Sequence, residues 1–120
     1  MRLRIGAVLA LLLLPALASA HAVLVKSTPA RRAVLTAAPA RVELTFNERL
    51  EAAYSTVSVW SSASARVDDG KILVGPDDPR RLSVGLPGLA PGIYTVKFRV
   101  LSVDGHLVEG TFPFEVRPRS

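Results

Sequence analysis

The chain has 120 residues, a formal net charge of +5 and no cysteine. That length suits one small domain, and the missing thiols exclude disulfides, cysteine zinc sites, iron–sulfur clusters and blue-copper centres. The only methionine is Met1, so the body of the chain also lacks thioether ligands for Cu(I).

Residues 1–20 read as a secretory signal. Arg2 and Arg4 precede an apolar run from Ile5 to Leu14, and Ala18-Ser19-Ala20 forms a small-residue cleavage site. The stretch from Ile5 to Ala20 contains Pro15 and falls short of the ~20 residues that span a bilayer, so cleavage rather than anchoring is expected. The expected mature protein is a single domain over residues 21–120, exported to the periplasm, with no stable membrane insertion after cleavage. Arg2 and Arg4 leave with the signal, so the full-chain charge overstates the basicity of the mature domain. The remaining Lys and Arg are dispersed and lack the interleaved aromatic residues of a nucleic-acid groove, so no nucleic-acid partner is expected.

Past Ala20 the apolar period is two, the signature of strands. Val42, Leu44 and Phe46 alternate with Arg41, Glu43 and Thr45, and a short helical turn is expected over residues 47–53. Residues 56–60 alternate next. Asp69-Gly70, set between Ala65-Arg66-Val67 and Ile72-Leu73-Val74, predicts a hairpin. Leu82, Val84 and Leu86 follow, then Tyr94, Val96, Phe98 and Val100. Phe112, Phe114 and Val116 form the last run, where Pro113 lacks an N–H and demands an edge or a bulge. Short strands about ten residues apart, separated by Pro/Gly turns, indicate an all-β fold, a Greek-key β-barrel or sandwich. Its core is expected from Phe46, Val57, Val59, Leu82, Val84, Tyr94, Val96, Phe98, Val100, Phe112 and Phe114, with Trp60 on either face.

Cleavage after Ala20 would expose histidine as the first residue. His21 could then chelate one metal through its α-amine and Nδ1. The only other histidine is His106, two residues beyond Asp104. In an extended chain residues i and i+2 face one side, so Asp104 and His106 can address one ion, with Gly105 allowing a tight path between them. An amine, two imidazoles and a carboxylate suit Cu(II) in a tetragonal arrangement; Zn(II) could use the same donors tetrahedrally. The α-amine, with a reference pKa of about 7.7–8.0, and the imidazoles, at about 6.5, must both deprotonate to bind, so affinity should fall on acidification. Glu48 follows a strand and offers an axial or outer carboxylate. By pattern alone it reads more simply as a solvated partner of Arg41 or Arg49.

These residues lie in three motifs that resemble the CopC family of exported copper-binding proteins. His21-Ala22-Val23-Leu24-Val25-Lys26-Ser27-Thr28-Pro29-Ala30 is similar to its opening motif. Val42-Glu43-Leu44-Thr45-Phe46-Asn47-Glu48-Arg49-Leu50 resembles its second. The stretch from Gly92 through Tyr94, Val96, Arg99, Val100 and Ser102 to Asp104 and His106 resembles its third, with Phe98 where Trp is usual. The resemblance implies a cupredoxin-like (Ig-like) Greek-key domain with His21, Asp104 and His106 as Cu(II) ligands and Glu48 close to the metal. It also implies an inner-membrane CopD-like copper transporter as partner. The segment from Ser61 to Pro79 has none of the methionines with which some members bind Cu(I), which favours a Cu(II)-only form.

The function expected is that of a periplasmic Cu(II) carrier or buffer in copper homeostasis and resistance, not an enzyme. A small histidine-brace copper oxidase or oxygenase is the competing class. Against it stand the short chain, the scarcity of aromatic residues and an equatorial Asp104, which would favour Cu(II) over redox cycling.

Overall fold

The computed structural model describes residues 23–120, so the signal and His21 lie outside the described residues. Eight strands follow in chain order. They are β1 (Leu24–Thr28), β2 (Val34–Leu35), β3 (Arg41–Phe46), β4 (Thr56–Ser61), β5 (Leu73–Val74), β6 (Arg81–Gly85), β7 (Gly92–Leu101) and β8 (Leu107–Val116). They form two four-stranded sheets, ordered β1-β3-β6-β5 and β2-β8-β7-β4. Every pairing is antiparallel except that of β2 with β8. The chain crosses between sheets at β1/β2, β2/β3, β3/β4, β4/β5 and β6/β7. The all-β expectation is met in its sandwich form.

Period-two patterning builds the core. Val42, Leu44 and Phe46 of β3 and Leu82 and Val84 of β6 face Val57, Val59, Val96, Val100, Phe112 and Phe114 of the other sheet, all essentially buried. Every residue of the expected core is buried, and Val42, Leu44, Leu50, Leu86 and Val116 join it. Burying each large side chain stabilises the fold by about 1.5–3 kcal/mol before conformational entropy is charged against it. Phe46 and Phe98 meet edge to face at 5.5 Å, and Tyr94 stacks on Phe114 at 5.5 Å. Opposite Phe98 in the ladder stands Gly110, where an added Cβ would lie 2.5 Å from the ring.

The hairpin expected around Asp69-Gly70 does not form. Residues 65–68 instead line the outer edge of β4: Ser61 N–H donates to Ala65 O, Val67 N–H to Val59 O, and Val59 N–H to Asp68 Oδ2 at 2.8 Å. The other arm supplies β5, which pairs with β6. Between the arms, Asp69 exchanges hydrogen bonds with Gly85 at the end of β6, where a side chain on Gly85 would collide with the carboxylate. Each arm satisfies its backbone on the edge of a different sheet, and the turn becomes a crossover.

Pro113 behaves as its missing N–H requires. Its carbonyl points away from β7 to accept Arg32 N–H at 2.7 Å, beyond the two-residue ladder of β2. The helical turn is displaced to a 3₁₀ turn over Ala52–Tyr54, because Leu50 is committed to an isolated bridge with Ser102. Trp60 is half-buried, its indole N–H bonded to Ser58 Oγ and its face covered by Lys97 Nζ at 5.0 Å.

Two predictions follow from these contacts. Gly110→Ala must displace the Phe98 ring within a packed core, so urea unfolding should show a loss of about 1–3 kcal/mol. Asp68→Ala strands the Val59 N–H and should cost about 1–3 kcal/mol at neutral pH. Burial pushes the Asp68 carboxyl up, but bonds from Arg66, Val59 and Gly70 outweigh it and leave the pKa lowered. Its stabilising contribution is therefore complete above the unfolded value of about 3.9 and lost as pH falls through the lower folded value. The acid limb of the stability curve should be shallower in Asp68→Asn.

Candidate metal centre

Strands β7 and β8 end in a ladder pair, Leu101 with Leu107, and the five residues between them close a tight loop. Within it Ser102 N–H donates to His106 O and Gly105 N–H to Ser102 O, both at 2.9 Å. Gly105 has φ 92°, in the left-handed region that a side chain disfavours, so glycine is what lets the loop close between Asp104 and His106.

The loop is organised by one buried hydroxyl. Ser102, 1% exposed, continues the inward register of Val96, Phe98 and Val100. Its Oγ donates to Asp104 Oδ1 and accepts His106 N–H at 3.1 Å. His106 Nδ1 lies 3.2 Å from the same carboxylate oxygen. A neutral His106 that donates Nδ1–H there presents its lone pair at Nε2, the form in which imidazole binds metals. The Ser102 hydroxyl holds the Asp104 carboxyl below the usual range; a burial effect opposes it and His106 reinforces it. Asp104 is therefore anionic at neutral pH, and both side chains remain accessible, at 43% and 33% exposure.

Two further segments converge on the loop. Just past β3, Arg49 O accepts Val103 N–H at 2.9 Å, Glu51 N–H donates to Leu101 O at 2.8 Å, and Leu50 bridges Ser102. Glu48 sits half-buried on this segment. Neither arginine proposed for it is its ion-pair partner among the described residues, and Arg41 bonds Ser83 instead. The start of the described chain is drawn to the same place, since Val23 and Asn47 are linked by two hydrogen bonds.

The structure thus joins Asp104 to His106 and brings Glu48 onto the adjoining segment. Among the described residues no three His, Cys, Asp or Glu side chains form a metal-holding group. The two-donor set offers one anionic oxygen and one imidazole, fitting a borderline divalent ion such as copper that takes its remaining donors from elsewhere. Sequence reasoning did not single out Ser102 or Asn47. Ser102 carried a signal, a hydroxyl in an inward register directly before the Asp-Gly-His triplet. Asn47 had none, because its partner Val23 is distant in the chain.

A family model for the CopC domain matches residues 24–117, and the chain belongs to the CopC family. Copper resistance protein C of Pseudomonas syringae pv. tomato is 34% identical, with 88% of each chain covered. The copper transport protein CutJ of Bacillus subtilis (strain 168) is 36% identical over 88% of this chain, which spans only 20% of that protein's length. Among solved structures, CopC from Methylosinus trichosporium OB3b superposes with a TM-score of 0.77 at 42% identity, over 83% of this chain and 97% of that one. PcoC of Escherichia coli, a methionine rich copper resistance protein, gives 0.71 at 28% identity, over 82% of this chain and 100% of its own. No helix among the described residues is long and apolar enough to cross a membrane.

Ser102→Ala removes the donor that stabilises the Asp104 carboxylate. In an NMR titration the Asp104 pKa should rise toward the ordinary carboxylate range, and unfolding should show a loss of about 1–2 kcal/mol.

Proposed function

We propose that this chain is an exported Cu(II) carrier or buffer acting in the periplasm in copper homeostasis. The metal is its cargo. Its ligands in this reading are the His21 amine and imidazole, freed by cleavage after Ala20, together with Asp104 and His106; Glu48 stands beside them and orients the terminal amine or a bound water. The observation that carries this reading is the convergence of three distant segments. The Asp104–His106 loop is tied by backbone hydrogen bonds to residues 49–51, next to the point where Val23 is held. Two residues extend the chain by at most ~7 Å, which keeps His21 within a short radius of that point.

The donor chemistry supports Cu(II) over Cu(I). Asp104, whose carboxyl Ser102 holds below its usual range, is anionic at neutral pH, and an anionic oxygen with nitrogen donors favours the divalent ion. Thioethers would favour Cu(I), yet Met1 is the only methionine, in contrast to the methionine rich PcoC. Holding is then the task of the chelate, and release requires a competitor for the same donors. The copper transport protein CutJ, which contains a related segment within a much longer chain, supports delivery to a transport partner, a CopD-like inner-membrane transporter in this reading.

The test combines mass spectrometry of the exported protein with Cu(II) competition titrations. The first should show His21 at the N-terminus. One extra residue before His21 should weaken Cu(II) binding by at least about 100-fold and change the EPR spectrum, as should His106→Ala. Glu48→Gln should cost about tenfold, the lower end for an outer-shell partner. Equal affinity with and without the extension would overturn the ligand assignment.

A further inference from the structure

We infer that Asn47 is a positioning residue for the metal centre: its side chain pins the strand end that leads to His21. The inference rests on the Cu(II) reading above, since it assigns how one proposed ligand is brought to the others.

The β1–β3 ladder is irregular where the chain approaches the site. Leu24 pairs with Phe46 and Lys26 with Thr45, so Val25 is an extra residue, bulged outward and 59% exposed. A bulge disrupts the ladder and re-aims the strand beyond it. Beyond this one, only the Leu24–Phe46 pair remains before the ladder ends. Val23 is then held by Asn47: Val23 N–H donates to Asn47 Oδ1 at 2.7 Å, and Asn47 N–H donates to Val23 O at 3.1 Å. The two bonds close a ring between residues 24 apart in sequence.

Asn47 is itself well placed to transmit position. Phe46, just before it, is fully buried and bonded through its N–H to Arg80 O, and Leu50, three residues on, bridges Ser102 of the Asp104–His106 loop. The clamp thus references the N-terminal arm to the segment that carries the second ligand pair. The Val23 side chain is exposed and makes no core contribution, so the side-chain bond does little for the fold. What it restricts is the backbone freedom of the arm. Without it, metal binding must order the arm itself, and fixing even one residue's backbone costs of the order of tenfold in affinity.

The experiment measures Cu(II) affinity by chelator competition, Cu(II) EPR and the Tm of the metal-free protein. Asn47→Ala should weaken Cu(II) binding about tenfold with the Tm nearly unchanged. Asn47→Asp, which retains the acceptor oxygen, should restore binding to at least the original level. In protein extended by one residue before His21, Asn47→Ala should have no further effect, because the arm no longer delivers a ligand. An unchanged affinity in Asn47→Ala, or an equal loss in the extended background, would overturn the inference while leaving the copper site standing. An extension that does not weaken binding would remove the copper-site reading and this inference with it.

Discussion

One junction decides what this domain can do: the meeting of the chain just past β3 with the end of β7. The two sheets form separate ladders, and a bridge between Leu50 and Ser102 connects the chain following a strand of each. The bonds flanking it, Val103 to Arg49 and Glu51 to Leu101, lock the segment after β3 against the loop after β7. Leu50 is buried and Ser102 is 1% exposed, so the junction belongs to the core although the loop it supports is open to solvent. Polar groups at such a place must be paired, and the hydroxyl's bonding is spent on ordering Asp104 and His106.

A domain with no disulfide needs other means of holding its edges. Here they are carboxylates used as backbone acceptors. Asp68, fully buried in its side chain, caps the N–H of Val59 on the β4 edge, while Asp69 does the same for Gly85 at the end of β6. Adjacent residues therefore tie one sheet to the other. Pro113 and the short β2 treat the outer side of β8 differently: a two-residue parallel ladder covers its end, and beyond it Arg32 N–H bonds the Pro113 carbonyl.

The chemistry of the loop suits the holding role proposed for it. A carboxylate kept ionised and an imidazole held at 3.2 Å from it are arranged before any metal arrives, which lowers the reorganisation that binding requires. The set is incomplete as it stands, since no third titratable donor joins it among the described residues. Completion by the His21 amine and imidazole, as proposed, is what would separate this site from a surface Asp–His pair.

Much of this was legible in the residues themselves. The alternation of Val42, Leu44 and Phe46 and of Tyr94 through Val100 identifies the strands and the buried face, because period two admits one inward set. Pro113 signals a position with no N–H to give, yet β8 is neither an edge nor bulged there: it lies between β2 and β7, and Pro113 sits just beyond the short β2 ladder. The Asp104–His106 pair is flagged by its spacing, although a tight turn through Gly105, not an extended strand, brings the two together. What the pattern could not reveal is every contact whose partner lies far along the chain. Asp69-Gly70 has the local chemistry of a hairpin turn, yet the unsatisfied edges of β4 and β6 claim its two arms. β1, with no clean alternation because a bulge interrupts it, and the two-residue β2 leave no readable period. Asn47 and Glu48 gain their meaning only from the bridge of Leu50 to Ser102. Local sequence determined which residues are strand, core and candidate donor; tertiary structure alone decided which distant segments meet, because hydrogen bonds are assigned by the competition of all available edges and not by neighbours in the chain.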